Sequence, residues 1–218
     1  MRSGADVAPG RYLADGRRAS SASGADATGP IQVRAPRTPI GTAAGAAARV
    51  PSVRFPRMER PIRILFVCLG NICRSPLAEG LFRHHVEMAG LSSHFEIDSA
   101  GTGGWHVGEP PDKRMCAVAL ARGLDIRHLR ARQIRPDDLH RHNLVLAMDK
   151  ENLRSLRRLA GQADTSHVRL FRSFDPKPGT GEVPDPYYGG EDGFIEVFEI
   201  VDRTSRALLE HVRREYRL

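Results

Sequence analysis

Cysteine is scarce in this chain: 218 residues hold three, Cys68, Cys73 and Cys116. Three thiols cannot build a disulfide framework, which points to a reducing compartment and leaves open whether one thiol is chemical. Long apolar runs are also missing. No stretch approaches the roughly 18 residues of a membrane-spanning helix, and Val-Arg and Ala-Arg pairs break any signal-peptide core near the start, so a cytoplasmic location is expected. Lysine is nearly absent, only Lys113, Lys150 and Lys177 among 33 basic residues, and aromatics make up 6%. What remains, 40% hydrophobic and 27% charged residues, describes a globular chain of one ordinary domain plus an extension.

The net charge of +7 suggests a nucleic-acid partner until it is divided along the sequence. Residues 1–57 carry +6 and the remainder only +1, so the basicity belongs to the extension and no nucleic-acid partner is expected. Ala, Gly, Pro and Ser supply 31 of those first 57 residues, with Tyr12 and Phe55 the only aromatics. Such a segment buries too little apolar surface to offset ordering entropy, and disorder is expected. Its Arg-rich, acid-poor texture suits a transit peptide, while Met58, just before the first strand, suits a mis-assigned start. The domain is placed at 58–218.

From Pro61 the patterning changes. Ile62–Val67 reads as a buried strand, Pro76–Ala89 as a helix closed by Gly90, and Phe95–Ser99 as a second strand. Asp112–Arg122 reads as a helix, Asn143–Met148 as a strand, Lys150–Ala160 as a helix and Val168–Phe171 as a strand. Phe194, Val197, Ile200, Val201, Leu208, Leu209 and Val212 recur at helical steps and predict a long amphipathic helix. Strands alternating with helices imply an α/β fold, a parallel sheet covered on both faces, with ligands at the carboxyl ends of strands.

The first strand runs into Cys68-Leu69-Gly70-Asn71-Ile72-Cys73-Arg74-Ser75-Pro76. A cysteine with an arginine six places on is a weak pattern, since Cys116 and Arg122 repeat it. Context separates them. Cys116 lies in an uninterrupted helix former and is expected to pack in the core. Cys68 ends a strand, Gly70 and Asn71 tolerate positive φ, Ser75 suits an N-cap and Pro76 the first helical position. Such a loop aims backbone N–H groups and a helix N-terminus at one point, an anion site. A thiol there is favoured as thiolate, Arg74 suits a bidentate grip on phosphoryl oxygens, and Ser75 is close enough to donate to the sulfur. Phosphoryl transfer to sulfur also needs a proton donor. Asp185, between Pro184 and Pro186 and followed by Tyr187 and Tyr188, is the best candidate, with the tyrosines able to wall an aromatic leaving group. The Gly-rich stretch from Ser99 to Trp105 places the single Trp on a loop at the same edge, as pocket wall or as core.

Taken together, these segments resemble the low-molecular-weight protein tyrosine phosphatases, especially the bacterial branch, over roughly Ile62 to Val212. The motifs are Val67–Pro76, Ser99-Ala-Gly-Thr, Ala131-Arg-Gln-Ile134, Leu146–Asn152 and Asp185-Pro-Tyr-Tyr-Gly189. The resemblance implies a flavodoxin-like sheet of four parallel strands and metal-free, cofactor-free hydrolysis of phosphotyrosine in a protein. Cys68 would be the nucleophile, Arg74 the phosphate clamp and Asp185 the general acid and base. The loop amides from Leu69 through Gly70, Asn71 and Ile72 to Cys73 would cradle phosphate. Asn71, Ser75 and Ser99 would brace the loop, and Trp105, Tyr187 and Tyr188 would line the pocket. Cys73 matches a second loop cysteine able to form a reversible disulfide with Cys68. A bacterial tyrosine autokinase is the implied class of partner, and a monomer the implied state. One departure stands out: Leu129 replaces a His that family members often carry three residues before the Arg of the Ala-Arg-Gln stretch, with His128 one place earlier.

Within that fold, arginine phosphatases typically place Thr where Ile72 sits, so Ile72 favours phosphotyrosine, and arsenate reductases need more downstream cysteines than Cys116. A silent phosphate-binding module is disfavoured because nucleophile, arginine and acid are all present. A zinc site from Cys68, Cys73, His84 and His85 is disfavoured because adjacent helical histidines diverge by about 100° and paired-cysteine spacing is absent.

Overall fold

The computed structural model describes residues 60–218. The expected extension, 1–57, and the boundary at Met58 lie outside the described residues. Four parallel strands, β1 (Ile62–Cys68), β2 (Phe95–Gly101), β3 (Leu144–Ala147) and β4 (Val168–Leu170), form one sheet in the order β2-β1-β3-β4. That is the flavodoxin-like order anticipated, with β1 central and its carboxyl end at the point where the winding reverses.

Alternation along β1 divides the core. Ile62, Ile64, Phe66 and Cys68 enter the larger cluster, with α1 (Arg74–Met88), α2 (Lys113–Leu120) and α5 (Glu191–Tyr216). Leu65 and Val67 point to the opposite cluster, with Val145 and Ala147 of β3, Leu139 of α3 (Pro136–Arg141) and Leu156 of α4 (Lys150–Ala160). A strand buried on both faces has little room for polar residues, and apart from Arg63 near its start, which pairs with Glu96, Ile62–Val67 is apolar. The seven residues anticipated in the last helix all lie on the buried face of α5. Gly161 closes α4 at φ 61, a conformation a side chain would strain.

Several boundaries differ. The first helix begins at Arg74, not Pro76, with Cys73 at its N-cap, so Ser75 is not the cap. Its hydroxyl is instead committed to the sulfur of Cys68 and the carbonyl of Ala100. Pro76 still falls among the first-turn positions whose N–H has no intrahelical acceptor. β2 continues past Ser99 to Gly101, where Gln133 bridges to it. β4 stops at Leu170, and Phe171 opens a short 3₁₀ turn, Phe171–Phe174. Helix α3 was not anticipated: six residues are too few for a periodic signal, and its marks are Pro136 at the start and the side chain of Asp138 returning to the Arg135 amide.

Candidate active site

The loop between β1 and α1 is held by a network of side-chain hydrogen bonds. Of its two residues expected to tolerate positive φ, only Asn71 adopts it, at φ 58. Gly70 serves a steric purpose instead, because a β-carbon there would approach the His106 ring to 3.0 Å. The Asn71 amide side chain holds the turn from both ends. Its Nδ2 donates to Ser75 Oγ and Ser99 Oγ, each at 2.9 Å, and its Oδ1 accepts the Arg132 backbone N–H at 2.9 Å. That last contact bears on the departure at position 129. Leu129 packs against the larger core cluster, and the Arg132 backbone amide braces Asn71. Ser99 Oγ in turn donates to Glu79 Oε2 at 2.7 Å, and Arg83 donates to Glu79 Oε1 at 2.9 Å. Burial pushes the Glu79 carboxyl above the usual glutamate range, although both donors favour its charged form.

Cys68 Sγ sits at the centre of this loop, 3.2 Å from the Asn71 N–H that donates to it and 3.0 Å from Ser75 Oγ. Because Ser75 Oγ already accepts from Asn71, its own proton is free to point at the sulfur or at the Ala100 carbonyl, 3.3 Å away. The first turn of α1 begins six residues beyond, its N-terminal dipole adding to the positive field. Cys73, at the N-cap, is different: burial first, then the carboxylate of Asp112, push its thiol far up, so it is held neutral.

Arg74 is almost fully buried and reaches across to the carboxyl ends of the other strands. Its Nη1 donates to Asp149 Oδ2 at 2.7 Å and to the Val183 carbonyl at 3.2 Å, and its Nη2 donates to Asp185 Oδ2 at 2.7 Å. Burial works against the guanidinium's charge, but Cys68, Asp185 and Asp149 more than offset it and raise its pKa. Among the described residues, Nε–H and one N–H on Nη2 have no protein acceptor, which leaves a donor edge for phosphoryl oxygens. Asp185 is oriented in turn by the Tyr187 backbone N–H, 3.2 Å from Oδ1.

A pocket of about 300 Å³ opens above the sulfur. Cys68, Leu69, Gly70, Ile72, Cys73 and Arg74 form its floor, and Asp185, Tyr187, Tyr188, Trp105 and His106 its walls. Trp105 is exposed on its loop rather than in the core, and Tyr188 is 97% exposed, its ring edge-to-face with Tyr187. Asn71, Ser75 and Ser99 lie beneath the floor as braces and do not line it. Cys116 is half-buried at the margin of the core, its thiol donating to the Pro111 carbonyl. His85 is taken by Asp202 at 2.8 Å, and no group of three or more metal-binding side chains occurs among the described residues.

Sequence reading passed over Asp149, Glu79, His106 and the Arg132 amide. Asp149 lay within a quoted motif, but nothing local shows that a helix N-cap also holds Arg74. Glu79, a carboxylate within a helix, carried no local signal of burial.

The model for low molecular weight phosphotyrosine protein phosphatases matches residues 63–218. A low molecular weight protein-tyrosine-phosphatase of Streptomyces coelicolor is 52% identical over 156 residues, covering 70% of this chain and 94% of its own. A low molecular weight phosphotyrosine protein phosphatase of Schizosaccharomyces pombe is 47% identical, covering 69% of this chain and 97% of its own. The crystal structure of YfkJ from Bacillus subtilis superposes with a TM-score of 0.68 at 39% identity, over 72% of this chain and 97% of that one. With a thiol, an arginine and a carboxylate converging at the carboxyl end of β1, and with likeness running the length of the described residues, the chain belongs to the low molecular weight phosphotyrosine protein phosphatase family.

Proposed function

We propose that this protein-tyrosine phosphatase cleaves phosphotyrosine through a phosphocysteine at Cys68, with Arg74 as phosphate clamp and Asp185 as proton donor and acceptor. The observation that carries the reading is the meeting of Cys68, Arg74 and Asp185 in one pocket, with the Asn71 backbone N–H pointing at the sulfur. The Cys68 thiolate attacks phosphorus as the P–O bond to the tyrosine breaks, and Asp185 gives its proton to the departing phenolate oxygen. Asp185 then takes a proton from water as that water attacks phosphorus, the S–P bond breaks, and inorganic phosphate and the thiolate are released. Charge on the transferring group is met by Arg74, the loop N–H groups from Leu69 to Cys73 and the N-terminus of α1. Ser75 supplies the hydrogen bond that eases departure of the sulfur. Trp105, Tyr187 and Tyr188 present flat apolar walls suited to the ring of a phosphotyrosine.

By the same reading, supported by the resemblance to the bacterial branch, the phosphoprotein partner is a tyrosine autokinase and the enzyme acts as a cytoplasmic monomer. Phosphate release from phosphotyrosine and phosphoarginine peptides by the full chain, beside Cys68→Ser and Asp185→Ala, tests the chemistry. Release from phosphotyrosine is expected, abolished by Cys68→Ser and reduced about 10²–10⁴-fold by Asp185→Ala. Preference for phosphoarginine, or turnover by Cys68→Ser, would overturn it.

A further inference from the structure

Asp185 does not stand on a strand or a helix. It follows a long irregular segment from Asp175, and that segment has a buried fastening outside the pocket. Arg172, 7% exposed in the turn after β4, spends each corner of its guanidinium on it. Nε donates to Asp175 Oδ2 at 3.2 Å, Nη2 to the Lys177 carbonyl at 2.8 Å and Nη1 to the Glu182 carbonyl at 2.8 Å. The first and last parts of the segment are thereby gathered on one planar group. Asp175 is buried too, and Arg203 of α5 grips both its oxygens, at 2.8 and 2.9 Å. Gly179 permits the close passage: at φ 54, a β-carbon there would lie 3.3 Å from Arg172 Nη2. The residue after Glu182 is Val183, whose N–H meets the Met148 carbonyl at 2.8 Å and whose carbonyl accepts from Arg74.

We propose that Arg172 is a positioning residue for protonation of the leaving group: clamping Asp175, Lys177 and Glu182, it sets where the chain emerges three residues before Asp185. The inference rests on Asp185 being the general acid. A fastening that served folding alone would lower activity on every substrate equally. One that positions the acid matters in proportion to the leaving group's need for a proton. A phenol near pKa 10, like tyrosine, needs it, and a dinitrophenolate leaves unaided.

The test compares kcat/KM of the full chain on phenyl phosphate and 2,4-dinitrophenyl phosphate. Arg172→Lys keeps a cation beside Asp175 but replaces a rigid three-cornered donor with a single nitrogen. It is expected to lose about 10-fold on phenyl phosphate and less than about 2-fold on the dinitrophenyl ester. Asp185→Ala must show the same selectivity, more strongly; if it does not, the acid assignment itself fails. If Asp185→Ala is selective and Arg172→Lys slows both esters alike, or neither, the positioning role is overturned. Should Arg172→Lys fail to fold, Arg203→Met, which loosens Asp175 from a partly exposed site, is read in the same way with a smaller selective loss expected.

Discussion

Asn71 concentrates more of the site's order than any other side chain. It holds the single positive φ in the loop, gives its amide to Cys68 and joins Ser75, Ser99 and Arg132 through its side chain. Two substitutions separate these duties. Asn71→Gly keeps the backbone conformation and loses the side-chain bonds, whereas Asn71→Ala also carries the cost of a β-carbon at φ 58. Both are expected to lower kcat/KM on a phosphotyrosine peptide by roughly 10²-fold, the scale of a small misplacement of reacting groups. The Ala variant should be less stable than the Gly variant by about 1 kcal/mol in urea unfolding. Near-normal activity in Asn71→Gly would show that the bracing bonds do nothing for catalysis. The glycine–asparagine pair was legible in the sequence as a place for left-handed backbone; which of the two adopts it was not. That choice is made by His106 approaching Gly70 and by the partners of Asn71, Ser75 at the start of α1 and Ser99 and Arg132 from distant segments.

At the scale of elements, all four strands and four of the five helices among the described residues were legible, because long apolar runs and helical stripes outlast uncertainty at their ends. The ends moved where a side chain had a tertiary use: Ser75 left the capping role to serve the sulfur, and Phe171 turned out of the strand into a core cluster. The junction that holds Cys68 and Arg74 was legible, since a strand-loop-helix turn announces an anion cradle locally; Asp185, on a separate loop, was named as the proton-donor candidate and lies at the same pocket. Asp149 and Glu79 were not, because their meaning depends on which strands become neighbours. The contact between β2 and the phosphate loop shows how close that neighbourhood is. A β-carbon on Gly101 would lie 2.8 Å from the Leu69 carbonyl oxygen and 3.1 Å from the Gly70 carbonyl carbon, both backbone. Gly101→Ala must therefore push the loop off the strand end. We expect a loss of about 1–3 kcal/mol in stability, as overpacking costs. A fall in kcat/KM of at least about 10-fold should accompany it, since the displaced atoms belong to the loop proposed to cradle phosphate. Urea unfolding and steady-state kinetics check both; an active, stable variant would show that the loop yields without harm.

Across the described residues, the loop after β1 leads into α1, and α1 packs on the 26-residue α5, which does not line the pocket. Most of that contact is apolar, from Phe194 to Val212, but one polar clasp crosses it: His85 Nε2 meets Asp202 Oδ1 at 2.8 Å. Burial pushes the Asp202 carboxyl up, yet hydrogen bonds from His85 and Arg206 outweigh it and hold the group below the ordinary aspartate range. An acid with a depressed folded-state pKa adds stability above its unfolded pKa, about 3.9, and that contribution disappears as pH falls through the folded value. Asp202→Asn should accordingly be less stable than wild type at pH 7, by about 1.5–3 kcal/mol for a hydrogen bond to a charged group. The two should converge as pH drops below about 3.9 through the folded-state value. Denaturant unfolding at stepped pH reads the difference directly. A gap independent of pH would assign the clasp's worth to packing instead of charge. Since Asp202 lies outside the pocket, kcat on phosphotyrosine at neutral pH should be unchanged while the variant stays folded. A matching loss of kcat would mean that α5 transmits strain to the loop through α1.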